Sequence, residues 1–166
     1  MKSLVVFYSR TNITKKLAED IANKINADTE EIIPKVEYIV PIEYTNVSLT
    51  FGTRVHPITK EERTHTGIDL VAKEGTKVKA AASGVVEVAT YDTEKGNYVE
   101  IKHIDGSISS YHHGTAILVE AGDSVNAGDE IMIVGKTGNA TGTHLHFEVK
   151  NANNELRVDL KNKEEI

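Results

Sequence analysis

Apolar and polar positions follow two different rhythms along this chain. Near the amino terminus Leu4-Val-Val-Phe-Tyr8 is an unbroken apolar run, the pattern of a strand buried on both faces of a parallel sheet. A polar turn, Ser9-Arg-Thr-Asn12, follows it. From about Thr14 to Ala27 the apolar positions Leu17, Ala18, Ile21, Ala22 and Ile25 recur at helical spacing, with Lys, Glu and Asp between them, which predicts an amphipathic helix. Thr29-Glu-Glu-Ile-Ile33 predicts a second strand, stopped by Pro34.

From Phe51 onward the rhythm is that of short strands and glycine turns. Thr76-Lys-Val-Lys-Ala-Ala, Gly84-Val-Val-Glu-Val-Ala, Tyr98-Val-Glu-Ile-Lys and Ile108-Ser-Ser-Tyr111 each alternate or run apolar between turn residues, and Asp123 to Val134 reads strand, turn, strand. All 12 glycines and all 7 histidines lie between Gly52 and His146. The expectation is a mainly β, antiparallel domain over 36–166, joined through Val36 to Val47 to a short N-terminal α/β (β-α-β) fragment over 1–35. That fragment is too small to bury a core by itself, and it is expected to pack on its own domain or on a second chain.

Composition narrows the function. A formal charge of −6 and a pI near 5.6, with no basic stripe, argue against nucleic acid. Cysteine is absent, so any protein metal site draws on His and Asp. No apolar run has the length of a membrane span, and Leu4 to Tyr8 is too short for the core of a signal peptide, so no export signal is expected within these residues.

The chemistry concentrates in Gly142-Thr-His144-Leu-His146-Phe-Glu-Val149. In a strand, residues two apart share a face, so His144 and His146 point one way while Leu145, Phe147 and Val149 point the other. Paired imidazoles suit metal ligation or proton transfer. In His65-Thr-Gly-Ile-Asp69 the glycine favours a bend that lets His65 and Asp69 converge, giving with the strand histidines enough donors for a three-ligand site with one open position. Two exposed strand histidines, a solvated loop histidine and an ordinary turn carboxylate would read the same way.

Taken together, Phe51-Gly-Thr-Arg54-Val-His56-Pro57, the HTGIDL from His65, Tyr111-His-His113 and GTHLHFEV resemble the lysostaphin or LytM type of zinc metallopeptidase, the glycyl-glycine endopeptidases that cut peptidoglycan cross-links. The likeness covers roughly Glu37 to Leu160. It implies a central antiparallel sheet of the barrel-sandwich, duplicated-hybrid kind, with a groove over the metal. It implies one zinc ion per chain on His65, Asp69 and His146, with His113 and His144 as catalytic histidines. Peptidoglycan peptide is the implied substrate, hydrolysis outside the cell or in the wall the implied setting. Relatives that bind the wall or activate another hydrolase share the fold but lack ligands; a zinc-binding module that does not cut is the alternative here.

Further expectations attach to single residues. The family pattern Y-x-H falls on His113, and strand alternation from Ser109 groups Tyr111 with His113 and Ser110 with His112, so that one imidazole of the two joins the metal face. Glu148 is expected beside the ligands or at an exposed strand position, His56 and His103 as polar loop and strand residues, and Arg54 in the groove or in packing. The N-terminal fragment resembles the first β-α-β of flavodoxins. Its turn reads Ser9-Arg10-Thr11-Asn12-Ile13-Thr14 against the family's S-x-T-G-N-T, however, so FMN binding is not expected. The hairpin rhythm also suits biotinyl and lipoyl carriers, but Gly135-Lys136-Thr137-Gly138 is not a carrier's lysine tip.

Overall fold

The computed structural model describes residues 4–7, 12–31, 36–55 and 60–153. The polar turn from Ser9, the stop at Pro34 and His56 lie outside the described residues. The chain divides into two compact units, Met1–Lys35 and Val36–Ile166.

In the first unit β1 (Leu4–Phe7) and β2 (Asp28–Glu31) pair in parallel, with α1 (Asn12–Ile25) between them in sequence. The helix ends because Asn26 adopts a left-handed conformation, φ 52°, and the Ala27 amide reaches back to the Ala22 carbonyl at 2.9 Å, a Schellman-type closure. Ala18 and Ala22 are buried. The expectation that β1 is buried on both faces fails: Leu4 and Val6 are about half exposed, because one helix covers only one face of a two-stranded sheet. Leu17, Ile21 and Ile25 also stay exposed.

Among its described residues the second unit is all β. In chain order its strands are β3 (Asn46–Leu49), β4 (Gly52–Val55), β5 (Glu62–His65), β6 (Ile68–Val71), β7 (Lys77–Lys79) and β8 (Gly84–Asp92). There follow β9 (Gly96–Lys102), β10 (Ile108–Gly114), β11 (Ala116–Ile117), β12 (Ser124–Val125), β13 (Glu130–Ile133) and β14 (His144–Lys150). Seven of them form an open antiparallel sheet in the order β12-β8-β9-β10-β14-β6-β3, a second sheet runs β11-β13-β7, and β4 and β5 form a hairpin.

Burial follows the pleat. On β14, Leu145, Phe147 and Val149 enter the core with Leu70, Val86, Val99, Ile101 and Tyr111, joined by Val78, Ile131 and Met132 from the smaller sheet and by Val134 just past its strand β13. Phe147 and Tyr111 are cross-strand partners with ring centroids 5.2 Å apart. The same alternation leaves His144, His146 and Glu148 on the opposite face of β14.

The core face carries one polar chain. Ala81 N–H donates to the Tyr111 hydroxyl at 2.7 Å, the Tyr111 and Ser109 hydroxyls meet at 3.0 Å, and Ser109 meets His103 Nε2 at 2.8 Å. His103 Nδ1 lies 3.0 Å from the Ser83 carbonyl, which accepts only, so Nδ1 carries the proton and Nε2 accepts from Ser109. Ser109 in turn accepts from Tyr111, and every bond has a fixed direction. Burial lowers the His103 pKa despite the Ser83 bond and the nearby Asp105, which keeps the ring neutral.

Candidate metal centre

Three strands adjacent in the large sheet bring the site together. Cross-strand pairing sets His112 of β10 opposite His146 of β14, and His146 opposite Asp69 of β6. His65 ends β5 and swings in through the Thr66-Gly67 bend. His65 Nε2 lies 3.1 Å from Asp69 Oδ1 and 3.0 Å from His146 Nδ1, and the last two atoms are 2.7 Å apart.

The second nitrogen of each ring decides what these atoms can do. His65 Nδ1 lies 3.1 Å from the Thr50 carbonyl and His146 Nε2 lies 2.9 Å from Glu148 Oε1; each must donate its proton there. His65 Nε2 and His146 Nδ1 are thereby left with lone pairs, aimed at each other and at a carboxylate oxygen. Three acceptors at 2.7–3.1 Å with no proton among them repel unless a cation sits between them. Tetrahedral zinc bonds of about 2.0–2.1 Å place ligand atoms roughly 3.3 Å apart, close to these spacings. The donor set therefore fits a divalent metal.

Without such a cation the site must hold a proton. Burial opposes charge on His146, but Asp69 and Glu148 outweigh it and lift the ring's pKa to about 9. Burial likewise opposes ionisation of both carboxylates, yet the His146 bond holds Asp69 below its usual range. His146 and Thr66 together bring Glu148 to about 2.

Two more histidines flank the donors. His144 Nδ1 donates to the Gly142 carbonyl at 2.9 Å, and its Nε2 lies 3.7 Å from Asp69 Oδ1. His113 Nδ1 donates to the Thr137 carbonyl at 2.9 Å, and its ring centroid is 4.8 Å from that of His144. With Nδ1 engaged on a carbonyl, the neutral His113 ring is unprotonated at Nε2. Burial lowers the His113 pKa, only partly offset by the Thr137 bond.

The expected grouping of Tyr111 with His113 on the metal face is corrected. Tyr111 is fully buried in the core and His112 lies on the metal face, stacked on His146 with centroids 5.0 Å apart. His113 reaches the same face because the strand breaks step: its φ is +70°, and the β9–β10 register shifts between Tyr111 and Gly114. Both imidazoles therefore approach the site, where alternation allowed one. His112 is 5% exposed, and its Nε2 has no hydrogen-bond partner. Burial first, then His146, lowers its pKa to about 3, so it is neutral and poorly placed to carry a proton.

Other expectations resolve simply. Glu148 is buried, not exposed, and holds His146. Arg54 is exposed on the β4–β5 hairpin, its guanidinium on the Thr50 carbonyl. His103 belongs to the core chain. The contribution of Thr66, whose hydroxyl donates to Glu148 Oε1, was missed in the sequence; the threonine inside His65-Thr-Gly was its only signal.

The chain is similar to several known proteins. The chain is 42% identical over 109 residues to the peptidoglycan DD-endopeptidase ShyC of Vibrio cholerae, covering 65% of this chain and 25% of that protein. A zinc-containing peptidase from Vibrio cholerae superimposes with a TM-score of 0.70 at 32% identity, over 76% of this chain and 41% of that one. The catalytic domain of lysostaphin from Staphylococcus simulans gives 0.60 at 30% identity, over 68% of this chain and 86% of that one. The chain spans about a quarter of the length of the curated relatives it matches. Residues 63–159, more than half of the sequence, match the family described as Peptidase family M23, and the chain belongs to that family.

Proposed function

We propose that this chain is a zinc metalloendopeptidase acting on peptide bonds of peptidoglycan cross-links, with 36–166 as the peptidase domain. The observation that carries the reading is the convergence of the His65 Nε2 and His146 Nδ1 lone pairs on Asp69 Oδ1. These three residues would hold the zinc, which when bound supplies Lewis acidity toward a scissile carbonyl and toward water.

The proton work falls to His113 and His144. Each donates Nδ1–H to a backbone carbonyl, which fixes the ring and leaves Nε2 as its one basic atom. One Nε2 would take the proton from the attacking water as its oxygen bonds to the scissile carbon. The other ring, protonated from solvent, would give its proton to the departing amine as the C–N bond breaks, and the two rings would return to their starting states by proton exchange with solvent. The family's alternative of a wall-binding module that does not cut needs neither flanking histidine, and here both are present, each held by its Nδ1 on a backbone carbonyl. A peptidoglycan substrate implies a periplasmic or wall setting. No helix among the described residues is long and apolar enough to cross a membrane.

Digestion of purified sacculi, with and without a chelator, tests the reading. New amino termini should appear with zinc and disappear when it is stripped. Metal-loaded protein that releases none from any wall type would refute it.

A further inference from the structure

Glu148 sits where it governs one of the donors. It is buried, it lies two residues beyond His146 on the same face of β14, and its Oε1 accepts the His146 Nε2–H at 2.9 Å. The same oxygen accepts the Thr66 hydroxyl, so the carboxylate is anchored from the bend that carries His65 inward. Its other oxygen is 3.8 Å from Lys150 Nζ.

The bend itself is shaped around this pair. A Cβ at Gly67 would lie 2.8 Å from His146 Nε2 and 2.9 Å from Glu148 Cγ, and would press on the Phe147 carbonyl. Any side chain at position 67 would force apart the hydrogen bond it covers. From the other side the His112 ring stacks on His146, with planes 22° apart, so the imidazole cannot tilt away from Glu148. Three elements therefore converge on one ring orientation.

We propose that Glu148 is a positioning residue: anchored by Thr66, it fixes His146 with its proton on Nε2, and so presents the Nδ1 lone pair to the metal position shared with His65 and Asp69. This rests on the reading of those three residues as metal ligands. The chemical reason is general, since an imidazole whose outer N–H is held by a carboxylate is both oriented and made more basic at its ligating nitrogen.

Two measurements test it. Zinc affinity by chelator competition should fall about 10–100-fold in Glu148→Ala, the usual cost of losing such a partner. It should stay within a few-fold of wild type in Glu148→Gln, whose amide oxygen still accepts from Nε2. Thr66→Val, which removes one hydrogen bond and keeps the shape, should cost up to about tenfold. Equal affinity in wild type and Glu148→Ala would overturn the proposal. Should Glu148→Ala fail to fold, loss of affinity in Glu148→Gln as large as in a ligand variant would overturn it too.

The second measurement needs no metal. Long-range proton–nitrogen NMR of metal-free wild type should show the His146 Nε2 hydrogen protected from exchange by its bond to Glu148; an Nε2 hydrogen that exchanges as freely as in Glu148→Ala sinks the inference. Failure of wild type to take up any metal would refute the peptidase reading, while the NMR result would still decide the role of Glu148.

Discussion

Replacing Ser109 with alanine should expose how much the directed polar chain in the core contributes. The hydroxyl is fully buried and stands in the middle of the sequence from Ala81 through Tyr111 to His103. Its loss removes the acceptor for the Tyr111 O–H and the donor to His103 Nε2. Both groups are then buried without partners, at about 1–3 kcal/mol each, and almost no volume is lost. Because the two share one network they are not strictly additive, so a destabilisation of roughly 2–4 kcal/mol is expected.

Tyr111→Phe orphans only the Ala81 N–H and should cost about 1–3 kcal/mol. The double variant no longer has a tyrosine hydroxyl to strand, so it should cost less than the sum of the singles by about the penalty of one orphan. Urea unfolding of wild type and the three variants measures this, with unchanged m-values confirming that the same transition is compared. A Ser109→Ala variant as stable as wild type, or strict additivity in the cycle, would refute the assigned bond directions.

Four further outcomes follow. Asp69→Ala should lose metal as well as turnover, read by metal analysis of the purified protein; full occupancy would remove Asp69 from the ligand set. His113→Ala and His144→Ala should keep zinc and lose about 10² or more in turnover, while His112→Ala, which removes a ring packed on His146 but no proton carrier, should lose clearly less than either; steady-state rates on a wall peptide decide, and a His112→Ala as inactive as His113→Ala would overturn the assignment. Gly67→Ala should lower zinc affinity without changing any ligand, checked by the same chelator competition, because its methyl would enter the His146–Glu148 contact. The depressed pKa of His103 means that the unfolded chain binds its proton more readily, so its contribution is complete above about pH 6.5 and is lost as pH falls through the lower folded value. Wild type minus His103→Gln stability, followed from pH 8 to 4, should show that loss, and a flat difference would contradict it.

Parts of this molecule could be read from letters alone because they depend on neighbours in sequence. The alternation of Leu145, Phe147 and Val149 with His144, His146 and Glu148 is local to one strand, and so is the helical spacing of Ala18 and Ala22. What alternation could not deliver is the break in step at His113. A positive φ there depends on how β10 leaves its pairing with β9, not on the residue itself. The burial of Glu148 was equally hidden, since the hydroxyl that anchors it is 82 positions earlier in the chain. His103 looked like an ordinary strand histidine, and only the packing of Ser83, Ser109 and Tyr111 around it gives its nitrogens fixed roles. The exposure of Leu4 and Val6 shows the converse error, in which an apolar run promises a covering layer that its own unit does not supply.

The place of β14 in the large sheet bears on how the metal-binding face is assembled. It is the last described strand in the chain, yet it lies between β10 and β6, so it alone joins the block β12-β8-β9-β10 to the pair β6-β3. During synthesis the β10 and β6 edges have no strand to bridge them until His144–Lys150 has left the ribosome. Such late, long-range closure is slow compared with local pairing. A nascent chain therefore carries His65 and Asp69 on one bend but lacks His146, the third donor, and cannot complete the shared position. The candidate metal centre is latent by topology until translation has passed its final histidine, and a chain stopped before His144 should hold no zinc in the shared position even with the metal in excess.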